Sequence, residues 1–479
     1  MLPNGYRIAG RIDRFSRCDF IVSLVTGSFL VVRWRYFCIL IFRNMSTAGK
    51  LTKNFGALSV IQVANFLIPF LVLPVIVRII GPAHFGLLNF LTAVVTYFVL
   101  LINYGFDYTA TRTVARYKED NAVVNDIFSR VLFARLWLFL VSMVIFAILF
   151  LAMGKLQQAP LVSILTFLSC LANVFMPNWL FQGMEQLQKA AIWNVVIKLV
   201  FNVAMILLIH LPQDYWLYAL FTTASQVLAG VWLFVYACRR FNLKIVFVPL
   251  KKVLQLLYED RAVFVSTLMI NLYTTSNIVL LGLMKPENEV GIFTAASRLV
   301  GVVQTIMLLP LSQTLFPHVG KSFAQNREEG LEEVRKLFPL VCALAFCVTA
   351  VVFITSPLVI HILFGAEFKA SVNVLRIMAF TPFIVSISNL LGTQVLLNMK
   401  KDSAFLRMTI MGSVTCIGLN LLLTPAFSYY GTALAWVLTE LLITIGMGVI
   451  IYRQGIRLVD SRYWRVSWLI EAAGKLRKR

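Results

Sequence analysis

Apolar residues in this chain come in runs of about twenty, separated by short stretches that carry charge, glycine or proline. Runs such as LWLFLVSMVIFAILFLAM, Leu136 to Met153, show neither the period-two alternation of a half-buried strand nor the single apolar stripe of a soluble amphipathic helix. A helix of about 20 apolar residues crosses the roughly 30 Å hydrocarbon layer of a bilayer. Such windows fall at approximately 54–79, 84–109, 128–152, 160–182, 190–211, 215–237, 261–284, 290–316, 338–363, 370–398, 404–424 and 429–452. The pattern predicts an all-α integral membrane protein with about twelve transmembrane helices.

Composition points the same way. Hydrophobic residues make up 59% of the chain, charged residues 13%, and mean hydropathy is +0.83; soluble domains carry about 25% charged residues. The seven cysteines form no CxxC pair, and Cys170, Cys238, Cys342, Cys347 and Cys416 fall in or at the end of apolar runs. They read as packed thiols, not as a disulfide or zinc framework. Four scattered histidines give no metal site, and no cofactor is expected.

The formal net charge of +22 invites a nucleic-acid reading until the basic residues are placed on the spans. Twenty-eight of the 43 lysines and arginines fall in the loops and tail on the side that holds both termini, against four opposite: Arg78, Lys155, Lys285 and Lys369. By the positive-inside rule the rich side is cytoplasmic. The excess is thus a topology signal and a contact with anionic lipid, worth about 1 kcal/mol per residue at the surface, and nucleic acid is not an expected partner.

Five segments are expected. Residues 1–44 hold seven arginines around a 13-residue apolar stretch that is short for a span, and MSTAGKLTKN from Met45 reads as an ordinary membrane-protein start, so the extension carries no function here. Residues 45–238 and 261–452 are two sets of six spans. Residues 239–260 are a cytoplasmic linker in which PLKKVLQLLYED has the spacing of an amphipathic helix in the headgroup plane, and residues 453–479 are a basic cytoplasmic tail. GPAHFGLLNF from Gly81 and KPENEVGIF from Lys285, about 205 residues apart, make similar outer turns that open a helix, as internal repeats of transporters do.

Four basic residues have no place in this topology: Arg135 and Lys198 about two turns in from the cytoplasmic side, Arg298 and Arg376 about two turns in from the outer side. A basic group at the bilayer centre costs about 2.5–3.5 kcal/mol on insertion scales. Snorkelling to the headgroups is one way out. The other is a shared aqueous lumen, which would suit an anionic cargo such as a phosphate or diphosphate. Glu440 is the most central carboxylate and is either a proton or cation carrier or a paired packing residue. Asp107, in NYGFDYTATR, is a candidate partner for Arg135, as a structural pair or as an inner gate.

NFGALSVIQVANFLIPFLVLPVIVRIIGPAHFG followed by NYGFDYTATRTVAR resembles the start of the polysaccharide-biosynthesis, O-antigen flippase (Wzx-type) family of the multidrug/oligosaccharidyl-lipid/polysaccharide exporter superfamily. VGIFTAASRLVG, LPLSQTLFPHV, LFGAEFKASVNVLRIMAF and NLLLTPAFSYYGTALAWVLTE extend the resemblance over about Lys50 to Tyr452. The resemblance implies a MATE-like fold of two six-helix bundles around a central cavity. It also implies an undecaprenyl-diphosphate-linked oligosaccharide as cargo, an inner-membrane location, and the pathway's polysaccharide polymerase and chain-length regulator as partners. Arg298 falls where the family often has a basic residue and Glu440 where a glutamate is common; Arg135, Lys198 and Arg376 carry over as lumen positions. Phe293 and Ser297 differ in detail from the tyrosine-rich family pattern, which leaves sugar contacts open.

Other function classes fit less well. A membrane polymerase, ligase or glycosyltransferase would need a DxD site or a sizeable outer domain, and neither is present. A nucleotide-driven pump would need GxxxxGK[ST], which does not occur. A multidrug or metabolite exporter of the same superfamily is the nearest alternative, although a cationic drug would favour a more acidic interior.

Overall fold

A computed structural model describes residues 49–310, 315–460 and 462–464, with side chains from Val72 onward apart from 309–314, 316 and 318. The extension 1–44 and residues 465–479 of the expected tail lie outside the described residues. In chain order the helices are α1 (Gly49–Asn103), α2 (Phe106–Arg116), α3 (Asn121–Ala152), α4 (Pro160–Phe175), α5 (Asn178–Gly183), α6 (Leu187–Leu208) and α7 (Tyr215–Arg240). There follow α8 (Leu250–Met284), α9 (Glu287–Pro310), α10 (Phe316–Gln325), α11 (Arg327–Phe364), α12 (Ser371–Met378), α13 (Thr381–Asn389), a π-helical segment (Leu390–Leu397) and α14 (Asp402–Arg453). The described residues contain no strand.

Ten helical stretches among the described residues are long and apolar enough to cross a membrane, and two of them break internally. Gly81 leaves helical geometry at φ 73°, ψ 174°, and Ser428 at φ 51°, ψ −134°. At Ser428 the chain folds back: the Thr424 and Thr432 hydroxyls meet at 2.9 Å, whereas eight residues of straight helix would hold them about 12 Å apart. Counting each break as a span boundary brings the ten stretches to twelve.

The linker helix does not lie apart from the bundle. No glycine or proline interrupts the chain between Leu250 and Gly282, so the amphipathic segment and the seventh span form one helix of 35 residues. At about 52 Å it exceeds the hydrocarbon thickness, and its first turns must project beyond it. Around the bundle, Leu151, Leu207, Phe346, Ile354 and Leu422 are exposed. Apolar surface on this scale is untenable in water and is the surface that acyl chains cover. The protein is a multi-pass membrane protein.

Small residues permit the tightest crossings. Gly230 of α7 sits against Ala172 of α4, and Gly412 against Ile443 within α14. Residues 82–103 of α1 cross α9 where Gly86 and Gly291 face each other's backbone. Past the far end of α1, Tyr104 stacks on Phe264 of α8 with centroids 4.3 Å apart, and Thr109 of α2 donates to Asp260 of α8 at 2.8 Å.

Candidate functional site

Between these two contacts lies a cavity of about 280 Å³. One wall is Asn89, Thr92, Ala93 and Thr96 of α1, which share a helical face at spacings of three and four residues; another is Phe293, Thr294, Ser297 and Arg298 of α9. Thr274, Thr275 and Ile278 of α8 and Trp436 of α14 complete it.

Arg298 is exposed to the cavity, and no carboxylate pairs with it among the described residues. Its Nη2 and Nε instead donate to Asn89 Oδ1, at 2.7 and 3.3 Å, and its guanidinium stands 5.8 Å from the Phe85 ring centroid. Asn89 is itself oriented, because its Nδ2 donates to the Phe85 carbonyl at 2.6 Å. The hydroxyls of Thr92, Thr96, Thr274, Thr294 and Ser297 donate to carbonyls of their own helices. Their protons are committed, so they offer lone pairs to the cavity and can accept from a ligand's hydroxyls. The cavity therefore combines one unneutralised fork of N–H donors, a ring of acceptors and two aromatic side chains.

The other interior basic residues go elsewhere. Arg135 is 2% exposed; its Nη2 donates to Asp107 Oδ1 at 3.1 Å, and its Nη1 donates to the carbonyls of Asn173 at 3.0 Å and Met176 at 2.8 Å. It thus caps the last turn of α4 and ties it to α2, and the void beside it measures only about 10 Å³. Arg376 lies against α11, where Nε donates to Ser356 Oγ at 3.2 Å and the guanidinium stands 5.5 Å from the Phe353 ring. Lys198 is half-buried on the α6 face shared with Asn194 and Asn202, and its ammonium has no partner among the described residues. The structure brings Asp107 and Arg135 together but does not gather the four basic residues into the Arg298 cavity. Helical depth can be counted along a sequence; the direction a side chain takes around the helix depends on which neighbour packs there.

Glu440 is 6% exposed on α14, one turn beyond Trp436, with no basic partner among the described residues. Nearby runs a buried polar chain that joins α8 to both limbs of α14. Asn420 Nδ2 donates to Asn277 Oδ1 at 2.8 Å, Thr424 donates to Asn420 Oδ1 at 3.2 Å, and Thr432 meets Thr424. Asn89 and Asn420 were not singled out from sequence. The available signal was an asparagine in phase with Thr92 and Thr96 on an otherwise apolar span. Among the described residues, no group of histidine, cysteine and carboxylate side chains could hold a metal ion.

The fold defines the class first. It is similar to an inward-facing multidrug resistance MATE family transporter of the MOP superfamily (TM-score 0.66, 16% identity, 82% of this chain and 94% of that one). It is also similar to the lipid II flippase MurJ in an inward closed conformation (TM-score 0.62, 13% identity, 82% and 87%). This is a MATE-like all-helical membrane fold. Residues 51–323 match the family described as polysaccharide biosynthesis protein, and the chain belongs to that family. Two curated relatives, each named "Putative O-antigen transporter", are 26% identical over 395 residues in Escherichia coli (strain K12) and 27% identical over 402 residues in Shigella dysenteriae. Each alignment covers 82% of this chain, with 95% and 98% of the respective relative.

Proposed function

We propose that the protein is a flippase that carries an undecaprenyl-diphosphate-linked oligosaccharide, a repeat unit of O-antigen or another surface polysaccharide, across the inner membrane. The observation that carries this reading is Arg298, a cation without a counter-anion among the described residues, facing a cavity whose hydroxyl acceptors suit sugar hydroxyls. Family membership and the two curated relatives support it. The basic loops would lie in the cytoplasm with both termini.

In this reading residues 45–238 and 261–452 act as two six-helix halves that rock against one another. The lipid tail stays in the bilayer while the diphosphate enters between them. Arg298 exchanges one neutral acceptor, Asn89, for the anionic oxygens of the diphosphate, which a guanidinium can take up as a bidentate pair of opposite charges. Lys198, half-buried and without a partner among the described residues, is the second cation available to an anionic headgroup. Arg135, Arg376 and Asp107 act through the framework. Glu440 is the candidate carrier of a coupling proton or cation, and removal of product by a polymerase with its chain-length regulator would supply the remaining drive. A multidrug exporter of hydrophobic cations is disfavoured, because such a ligand would meet the guanidinium of Arg298.

The test is complementation of a flippase-deficient strain at matched membrane expression. Arg298→Ala should cut surface polysaccharide at least tenfold, and Lys198→Ala and Glu440→Gln should reduce it less. Wild-type surface polysaccharide in the Arg298→Ala strain would refute the assignment of the cavity.

A further inference from the structure

We infer that Asn89 is a positioning residue that keeps Arg298 available for an anion by holding it with a neutral acceptor. The inference rests on the diphosphate reading of the same cavity. Asn89 comes from α1 and Arg298 from α9, so their contact joins the two halves of the chain across one wall. Both amide atoms are engaged: Nδ2 donates to the Phe85 carbonyl, within its own helix, and Oδ1 takes two guanidinium N–H groups. Aspartate has almost the same shape, yet it would place a full negative charge where Oδ1 now stands and form a closed ion pair. Any phosphate entering would then have to displace a carboxylate.

The experiment uses the full-length protein in nanodiscs and farnesyl diphosphate as a soluble prenyl-diphosphate probe, with affinity read by calorimetry and thermal stability read in parallel. Asn89→Asp should weaken binding at least tenfold while melting at or above the wild-type temperature. Asn89→Ser, smaller but neutral, should melt lower and bind within about threefold. That opposite ordering of affinity and stability is not produced by a purely structural role. If Asn89→Asp does not fold, Ser297→Asp puts a carboxylate on the same cavity wall and should give the same loss. Wild-type affinity in the aspartate variant alongside lost affinity in Arg298→Ala overturns the inference and leaves the reading standing. Wild-type affinity in Arg298→Ala overturns the reading itself.

Discussion

Arg135→Met offers a stability prediction that also separates a framework role from a transport role. The side chain it removes is almost wholly buried and makes three hydrogen bonds, to Asp107 Oδ1 and to the carbonyls of Asn173 and Met176. Methionine fills much of the volume but leaves both carbonyls without that donor, at about 1–3 kcal/mol each when buried. Asp107 is 49% exposed and rehydrates, so its share is small. The expected loss is about 2–6 kcal/mol, the sum over the two stranded carbonyls. Asp107→Asn keeps an acceptor at a half-wet position and should cost less than about 1 kcal/mol. Arg135→Lys should fall between, since one ammonium cannot serve three acceptors in the fork geometry of a guanidinium. The assay is the monodisperse fraction of detergent-solubilised protein after a temperature series, with export measured at matched folded amounts. Equal loss in Arg135→Met and Asp107→Asn would refute the asymmetry argument. Normal stability with abolished export would show instead that Arg135 handles cargo.

Other expectations follow from single geometries. Gly105, at φ 89° with Val263 Cγ1 only 2.7 Å from where a Cβ would stand, should tolerate alanine poorly, and melting should show a loss of at least about 1–2 kcal/mol. Ser428→Gly should stabilise by up to about 1 kcal/mol, because φ 51° at the fold-back penalises any residue with a Cβ and the buried Ser428 hydroxyl has no hydrogen-bond partner among the described residues; an unchanged melting temperature would refute the strain argument. Asn420→Leu should cost about 1–3 kcal/mol by taking the Asn420 amide away from Asn277 Oδ1 and from the Thr424 hydroxyl, and Asn277→Leu added to it should cost less than the sum of the two singles. In the loop beyond α14, Arg462 beside Asp460 holds that carboxyl at about 2. A depressed carboxylate stabilises above its unfolded value and loses that contribution as pH falls toward 2, so titrating Asp460 by NMR should show no protonation above pH 4.

Span number and the all-α class were legible in the sequence because hydrocarbon imposes a simple rule: unpaired backbone groups are intolerable there, so apolar runs of membrane length must be helices. The periodicity of the linker was legible too, while its fusion with the seventh span followed only from the lack of a breaker before Gly282. The Gly86–Gly291 repeat was visible as two similar turns; only the fold brought them face to face. For the interior charges the division is sharper. Desolvation alone says that a cation at membrane depth needs a partner or water, which is a statement about cost, independent of direction. Packing between helices distant in sequence decided the rest. It gave Arg135 to Asp107 and two carbonyls, gave Arg376 to Ser356, and left Arg298 with a neutral amide beside a polar cavity. Those partners lie 20 to 209 residues away along the chain, and no local pattern encodes which of several faces a helix will turn toward them.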